Sequence, residues 1–308
     1  MTRNWIEEEI NLELNLTTEQ ASVLDLHSFL NIISILIAES DYLQELIPET
    51  CPMEAFINRC ESFRKSLFKP ECVHQEITLL PEIIAMLEST IARIYTTIPF
   101  DHAQANTIHY VLENLQSVGV ILKVRYNELM ARIKKPNEWI SVHINDITSS
   151  LVQFLDAMQK NSRSRFGFVY NIARQTLSDY MINLSAESDG DINIFMPNPF
   201  IDVIRDLIAN ARKYTEPSGK ILLGIHNTNN TLKMVIEDTG RGIPADQIQT
   251  VVGFGYRAAN VTDIKTRGAG FGLTKAYFIT KRHQGRMWIA SQLNHGTRIR
   301  IEIPHPNS

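Results

Sequence analysis

The stretch "RDLIANARKYT" (205–215) places an amide, Asn210, inside a run whose apolar residues repeat as a helix does. Asparagine is a poor helix-interior residue, because its side chain competes for backbone hydrogen bonds. Asp206 stands four residues before it and Lys213 three residues after it. On a helix those spacings share a face. A carboxylate, an amide and an ammonium side by side would suit a divalent metal holding a phosphate chain. They would equally suit a polar stripe facing water. Two further clusters lie downstream. "EDTGRGIP" (237–244) sets Asp238 at the end of a β-rich run, followed by Gly240 and Gly242. Glycine lets a backbone approach a ligand closely, and a carboxylate there could accept from the exocyclic amine of a base. The same residues would also make an ordinary strand–turn. "RGAGFGL" (267–273) puts Gly268, Gly270 and Gly272 at the start of a helical run. Amides at a helix N-terminus bind anions. The glycines lack the strand–GxGxxG–helix context of a dinucleotide site and the GKS or GKT ending of a P-loop.

The elements that must position these residues fall into two halves. Residues 17 to about 135 contain a single glycine, Gly119. There Val23, Leu26, Leu30, Ile33 and Ile37 recur by threes and fours, as do Ile77, Leu80, Ile84, Leu87, Ile91 and Ile94. Ile108, Leu112, Leu115, Leu122 and Leu129 fit one heptad frame. Such spacing marks seams between packed helices. A shorter helix is expected over residues 52–68. Pro81 starts or kinks the third helix, and "IPFD" (98–101) breaks the chain before the next. A boundary falls at "KKPNEW" (134–139). Beyond it, β-rich runs at 166–171, 221–227, 232–238, 286–291 and 297–304 alternate with helical runs at about 143–160, 200–214 and 271–283. "NTNN" (227–230) is a hairpin turn. The expectation is an α+β chain: a helical bundle over 1–136, then over 137–308 an α/β sandwich with a mostly antiparallel sheet and helices on one face.

Bulk properties exclude several classes. Hydrophobic residues are 44% and charged residues 21% of 308, as in soluble globular proteins. The net charge is −4, without a long basic block, which speaks against nucleic acid. Cys51, Cys60 and Cys72 are odd in number and lack CxxC spacing, so they read as reduced thiols. The most apolar window, "FLNIISILIA", is too short to span a membrane. The N-terminus is acidic and lacks a signal-peptide core. A cytoplasmic protein is expected.

The order of the clusters is more specific than any one of them. Asn210 on a helix, DxGxG from Asp238, GxGxGL from Gly268, "HQG" (283–285) and "HGT" (295–297) together resemble the nucleotide-binding domain of the GHKL ATPase superfamily, which includes gyrase-type topoisomerases and sensor histidine kinases. The likeness covers roughly residues 140–305, and "NARKYT" is closest to the histidine kinase form. The resemblance implies that Asn210 coordinates Mg2+ bridging ATP phosphates, with Lys213 near them. Asp238 would recognise the adenine amine, Gly240 and Gly242 would shape its pocket, and Thr297 would line it. Gly268, Gly270 and Gly272 would let the end of a mobile lid approach the phosphates. "GYRA" (255–258) resembles the start of that lid, which would cover 253–267, with Arg257, Lys265 and Arg267 as phosphate contacts. Tyr214, Tyr256 and Leu273 complete the expected nucleotide contacts. One departure is Asp206, where histidine kinases usually carry asparagine. The superfamily's ATPases and the mitochondrial protein kinases usually carry an acidic residue there, which can act as a base.

A histidine kinase also needs an acceptor. "LDLHSFLNIIS" (24–34) resembles an H-box, with His27 as phosphoacceptor, exposed at the edge of the bundle, and Asn31 four residues on. Ser28 stands in the usual acidic position, and the separation of His27 from Asn210 is longer than usual. The resemblance implies a homodimeric kinase using Mg2+ and ATP and passing the phosphoryl group from His27 to a response regulator aspartate. Two other readings follow from the same residues. One is a serine kinase built like the mitochondrial dehydrogenase kinases, in which a four-helix bundle precedes the GHKL domain. The other is a degenerate kinase that binds nucleotide and sequesters a partner.

Overall fold

The computed structural model describes residues 5–47, 52–67, 75–97, 102–135, 137–162, 165–263 and 270–306. The chain divides into two compact units. One is Leu16–Lys135; the other joins Met1–Asn15 to Pro136–Ser308.

The helical unit contains α1 (Thr18–Leu46), α2 (Glu54–Ser66), α3 (Leu80–Thr97) and α4 (His102–Lys134). Thr17 opens α1 with a capping box: its hydroxyl accepts from the Gln20 amide, and the Gln20 side chain accepts from the Thr17 amide. Pro81 falls in the first turn of α3, where no intrahelical donor is needed. Each helix packs on the next, and α4 returns to α1. Phe29, Leu36, Phe56, Phe63, Leu87 and Leu115 fill the interior. Among the described residues the contacts of these helices close a ring within one chain. Among the described residues, no single helix is long and apolar enough to cross a membrane. The expected break at 98–101 lies outside the described residues.

The other unit is built on a seven-stranded sheet. Its strands are β1 (Glu7–Glu9), β3 (Phe168–Val169), β4 (Tyr180–Ser188), β6 (Lys220–Asn227), β7 (Thr231–Asp238), β8 (Arg286–Gln292) and β9 (Gly296–Pro304), in the order β1-β8-β9-β7-β6-β4-β3. β4 runs parallel to β3 and β6; the other pairings are antiparallel. β2 (Trp139–His143) and β5 (Asn193–Pro197) make a separate antiparallel pair. Alternation along β6, β7 and β9 buries Leu223, Met234 and Ile301 on one face. Onto that face pack α5 (Ile144–Asn161), α6 (Phe200–Tyr214) and α7 (Gly272–Arg282). The expected sandwich is present. The expected run 166–171 supplies only two strand residues, and β1, β2, β4 and β5 add strands that the expectation lacked.

The largest departure concerns the N-terminal residues. They were expected in the helical bundle, yet β1 is the edge strand of the second unit's sheet, with Glu7 opposite Ala290 and Glu9 opposite Trp288. The Ile10 amide donates to the Met287 carbonyl at 2.9 Å, and Ile10 is fully buried. The Tyr277 hydroxyl reaches the carbonyls of Ile10 and Leu12 at 3.2 and 2.8 Å. Glu7 pairs with Arg300, and Glu9 with Arg286. Arg300 also stacks over Trp288, 3.7 Å from its ring centre. A run of three glutamates looks solvated in sequence; here two of them meet arginines almost a whole chain away. The helical unit is thus an insertion between β1 and β2.

Candidate nucleotide site

β6 and β7 form the hairpin expected around "NTNN", which brings Asp238 to the strand end opposite Ile221. α6 lies against β7 and β6, because its apolar stripe of Val203, Ile204, Leu207 and Ile208 is buried. Its polar edge then faces a cleft. Asn210, Tyr214, Asp238, Gly242, Tyr256 and Arg257 line that cleft, and Leu273 and Thr297 close its sides. The cleft encloses about 660 Å3 of space, part of it open to solvent. Residues far apart in sequence therefore converge on one concavity with apolar walls from Leu207, Ile236, Ile243 and Val251.

The glycines explain how the walls approach. A Cβ on Gly240 would stand 2.4 Å from the Tyr214 carbonyl oxygen, and the adjacent Arg241 amide donates to that same oxygen at 3.0 Å. The Gly240 amide itself donates to Asp238 Oδ1 at 2.8 Å, which holds the carboxylate at the strand end. Gly242 has φ +70°, and a Cβ there would meet the Gln292 carbonyl oxygen at 2.1 Å. Gly272 opens α7 against Asn210, and Gly270 packs beside the Tyr256 carbonyl. Arg267, Gly268 and Lys265 lie outside the described residues.

Hydrogen bonding fixes the chemistry of Thr297. The Ser291 hydroxyl accepts from the Ile243 amide at 2.8 Å and has one proton, which goes to the Gly296 carbonyl at 2.8 Å. Thr297 Oγ1, 2.9 Å from Ser291 Oγ, is then the donor of that pair. Thr297 is left with acceptor lone pairs on the cleft wall. Together with Asp238 it suits a ligand that offers N–H donors.

Two cations, Lys213 and Arg257, act on one another, and Arg257 lines the cleft. Burial, with the Arg257 guanidinium nearby, pushes the Lys213 ammonium down to about 8. Burial also raises the Tyr214 hydroxyl above its ordinary range, against the pull of Arg257. Arg257 donates to the Val261 carbonyl at 2.9 Å. Two cations that oppose one another's charge favour an anion between them. Asp206 does not line the cleft. Its Oδ2 is 3.0 Å from Lys275 Nζ, and the Lys275 side chain is fully buried. Nothing in the surroundings of Lys275 in sequence, "GLTKAY", marked it as more than a surface lysine.

Residues 196–307 match the family model described as histidine kinase-, DNA gyrase B- and HSP90-like ATPase. Residues 196–307 are therefore an ATPase-like domain of that kind. The geometry of the ATPase domain agrees with that match: the matched segment carries α6, both glycine clusters and the cleft. The adaptive-response sensory kinase SasA of Synechococcus elongatus is 35% identical over 109 residues, covering 35% of this chain and 28% of that protein. The sensor histidine kinase RppB of Synechocystis sp. is 25% identical over 231 residues, covering 72% of this chain and 47% of that protein. Among solved structures, the mycobacterial sensor histidine kinase MprB covers 55% of this chain and 97% of that one at 18% identity, a loose likeness at a TM-score of 0.37. The chain spans less than half the length of the first curated relatives it matches. The resemblance to sensor histidine kinases that "NARKYT" and the glycine clusters suggested is borne out by these relatives.

The ATPase domain's residues fit a metal–nucleotide complex. Asn210, packed against the first turn of α7, lines the cleft together with Arg257, whose charge acts on nearby Lys213. His27 and Asn31 sit on α1, in the other unit. His27 was expected to be exposed; it is only 8% exposed, on a helix whose Leu26 and Phe29 belong to the bundle core. Its Nε2 is 3.3 Å from Asn31 Nδ2. The spacing of four did bring the two together.

Proposed function

We propose that this chain is an ATP-dependent protein histidine kinase of a two-component system. The observation that carries the reading is the cleft shared by Asn210, Asp238 and Thr297, in a segment that matches the histidine kinase-, DNA gyrase B- and HSP90-like ATPases. Asp238 and Thr297 would hold the adenine edge, and Lys213 and Arg257 would meet the phosphates. Asn210 would bind Mg2+, which neutralises phosphate charge when present. The γ-phosphorus–oxygen bond to ADP breaks, a phosphorus–nitrogen bond to His27 forms, and the imidazole proton leaves to solvent. A response regulator aspartate then receives the group. In this reading the protein is cytoplasmic, and it does not act on nucleic acid. A homodimer belongs to the same reading; it would use surfaces other than the seams that the four helices fill among themselves.

His27 places a demand on this scheme. Asn31 donates to Nε2 when the ring carries its proton on Nδ1, so the lone pair is already occupied. Transfer requires the ring to leave Asn31 and the helix to be uncovered. Slow autophosphorylation is expected.

The closed ring of four helices and the buried His27 favour a second reading, a serine kinase built like the mitochondrial dehydrogenase kinases. Radiolabelled ATP separates the two. Acid-labile label on the chain, lost in His27→Ala, supports the histidine kinase. Acid-stable label on an added substrate protein, with none on the chain, supports the second reading. A chain that binds neither ATP nor ADP with Mg2+ in calorimetry overturns both.

A further inference from the structure

The ATPase domain carries three buried charges and one partly buried one that do not line the nucleotide cleft. The Lys275 ammonium on α7 lies 3.0 Å from Asp206 and 3.8 Å from Asp202, both on α6. The side chains of Lys275 and Asp202 are 0% and 1% exposed, and that of Asp206 is 12% exposed. Arg205 stands 3.6 Å from Asp202 and donates to the Ser150 hydroxyl of α5 at 2.7 Å. Two carboxylates and two cations thus balance, and they tie three helices together.

Their position is specific. Asp206 is four residues before Asn210, one turn down α6. Lys275 is three residues after Gly272, one turn along α7. The contact between Asn210 and Gly272 and the Asp206–Lys275 pair are therefore neighbouring rungs between the same two helices. Apolar packing would hold α6 against α7 without fixing how far one slides along the other. A 3.0 Å ion pair fixes it, and buried pairs are best attested in that register-setting use.

We infer that Lys275 is a positioning residue for nucleotide binding: through Asp206 it sets the register of α7 on α6 and so keeps Asn210 seated at the cleft. The inference rests on the nucleotide-binding reading proposed above. It also gives Asp206 a task other than that of a base. Its carboxylate is the counter-ion of Lys275, and taking a proton from an acceptor would require breaking that pair.

The test is a double-mutant cycle on the full chain, read by calorimetric Mg·ADP affinity and by thermal melting. Lys275→Met takes from Asp206 its ammonium partner and leaves Asp202 with Arg205, so it should lower Tm and weaken Mg·ADP binding about tenfold or more. Asp206→Asn should weaken binding to a similar extent. The double variant Asp206→Asn/Lys275→Met should regain much of the lost Tm while its binding stays about tenfold weak, and not about a hundredfold, because both residues act through one link. Wild-type affinity in Lys275→Met or in the double variant would overturn the inference, and so would losses that multiply. If Lys275→Met does not fold, the double variant decides alone. Wild-type protein blind to Mg·ADP would instead remove the nucleotide-binding reading itself.

Discussion

Asn210 lies so close to Gly272 that a methyl group on the glycine would stand 2.5 Å from the amide nitrogen. One residue comes from the sequence's first motif and the other from its last glycine cluster. Alanine is a better helix former than glycine by about 1 kcal/mol, so Gly272→Ala should not loosen α7 itself. It should displace Asn210. The expected outcome is a melting temperature close to wild type with Mg·ADP binding weakened about tenfold or more. Calorimetry with parallel thermal melts checks this, and undiminished affinity would show that the contact is idle.

Lys213 predicts a pH dependence. Its ammonium sits near 8 in the folded chain against an ordinary 10.5, mainly through burial and then through Arg257. The unfolded chain therefore holds this proton more tightly. The group opposes folding below about pH 8, and the opposition fades as pH rises from there toward 10.5. Nucleotide binding has the reverse sign, because phosphates favour the ammonium. Affinity should fall several-fold between about pH 7 and about pH 9, with proton uptake on binding at the upper end. Lys213→Met should flatten the profile; an unchanged slope would place the titration elsewhere.

Thr297 makes a narrower claim. Thr297→Val keeps the shape of the side chain and removes the acceptor on the cleft wall. A lost hydrogen bond of about 0.5–1.5 kcal/mol corresponds to a weakening of adenine nucleotide binding of roughly two- to tenfold. Competition of ADP against inorganic triphosphate isolates the base: the variant should lose ADP affinity and keep triphosphate affinity.

The N-terminal strand is expected to be part of the ATPase domain's stability. Ile10 is fully buried among its core residues. Ile10→Ala should cost about 2–5 kcal/mol. Removing residues 1–15 should do more, by baring the edge of β8 as well, and should promote self-association. Thermal melting and size-exclusion chromatography measure the two effects. A truncated chain that is monomeric and melts like wild type would contradict them.

The parts of this molecule that were legible in sequence are those whose signal is local. α6 was expected at 200–214 and spans Phe200–Tyr214; the β6–β7 hairpin and α7 follow from apolar periodicity and turn residues. The parts that were not legible depend on distant partners. β1 is three glutamates long, and its reason to be a strand is Arg286 and Arg300. In β4, Tyr180, Ile182, Leu184 and Ala186 alternate with exposed Asn183, Ser185 and Glu187, so this strand was legible in "YMINLSAES" and was passed over. Asp206 was readable as a departure from the histidine kinase pattern, but its partner Lys275 was not, since a lysine on a short helix carries no mark of burial. His27 and Asn31 were readable as a pair; the burial of the ring was not, because it depends on how α1 meets its neighbours.

The place of β1 in the sheet also sets an order of events during synthesis. Glu7 leaves the ribosome first, while its partner Ala290 follows about 280 residues later. At roughly 5–20 residues per second the strand waits on the order of tens of seconds, through the making of the whole helical unit. During that interval it is an unpaired edge in search of a partner. Three successive negative charges keep such a segment soluble and apart from its copies on neighbouring nascent chains. The arginines that finally neutralise two of them, Arg286 and Arg300, arrive with the strands that complete the sheet. The glutamates thus guard the nascent chain before they serve the finished fold.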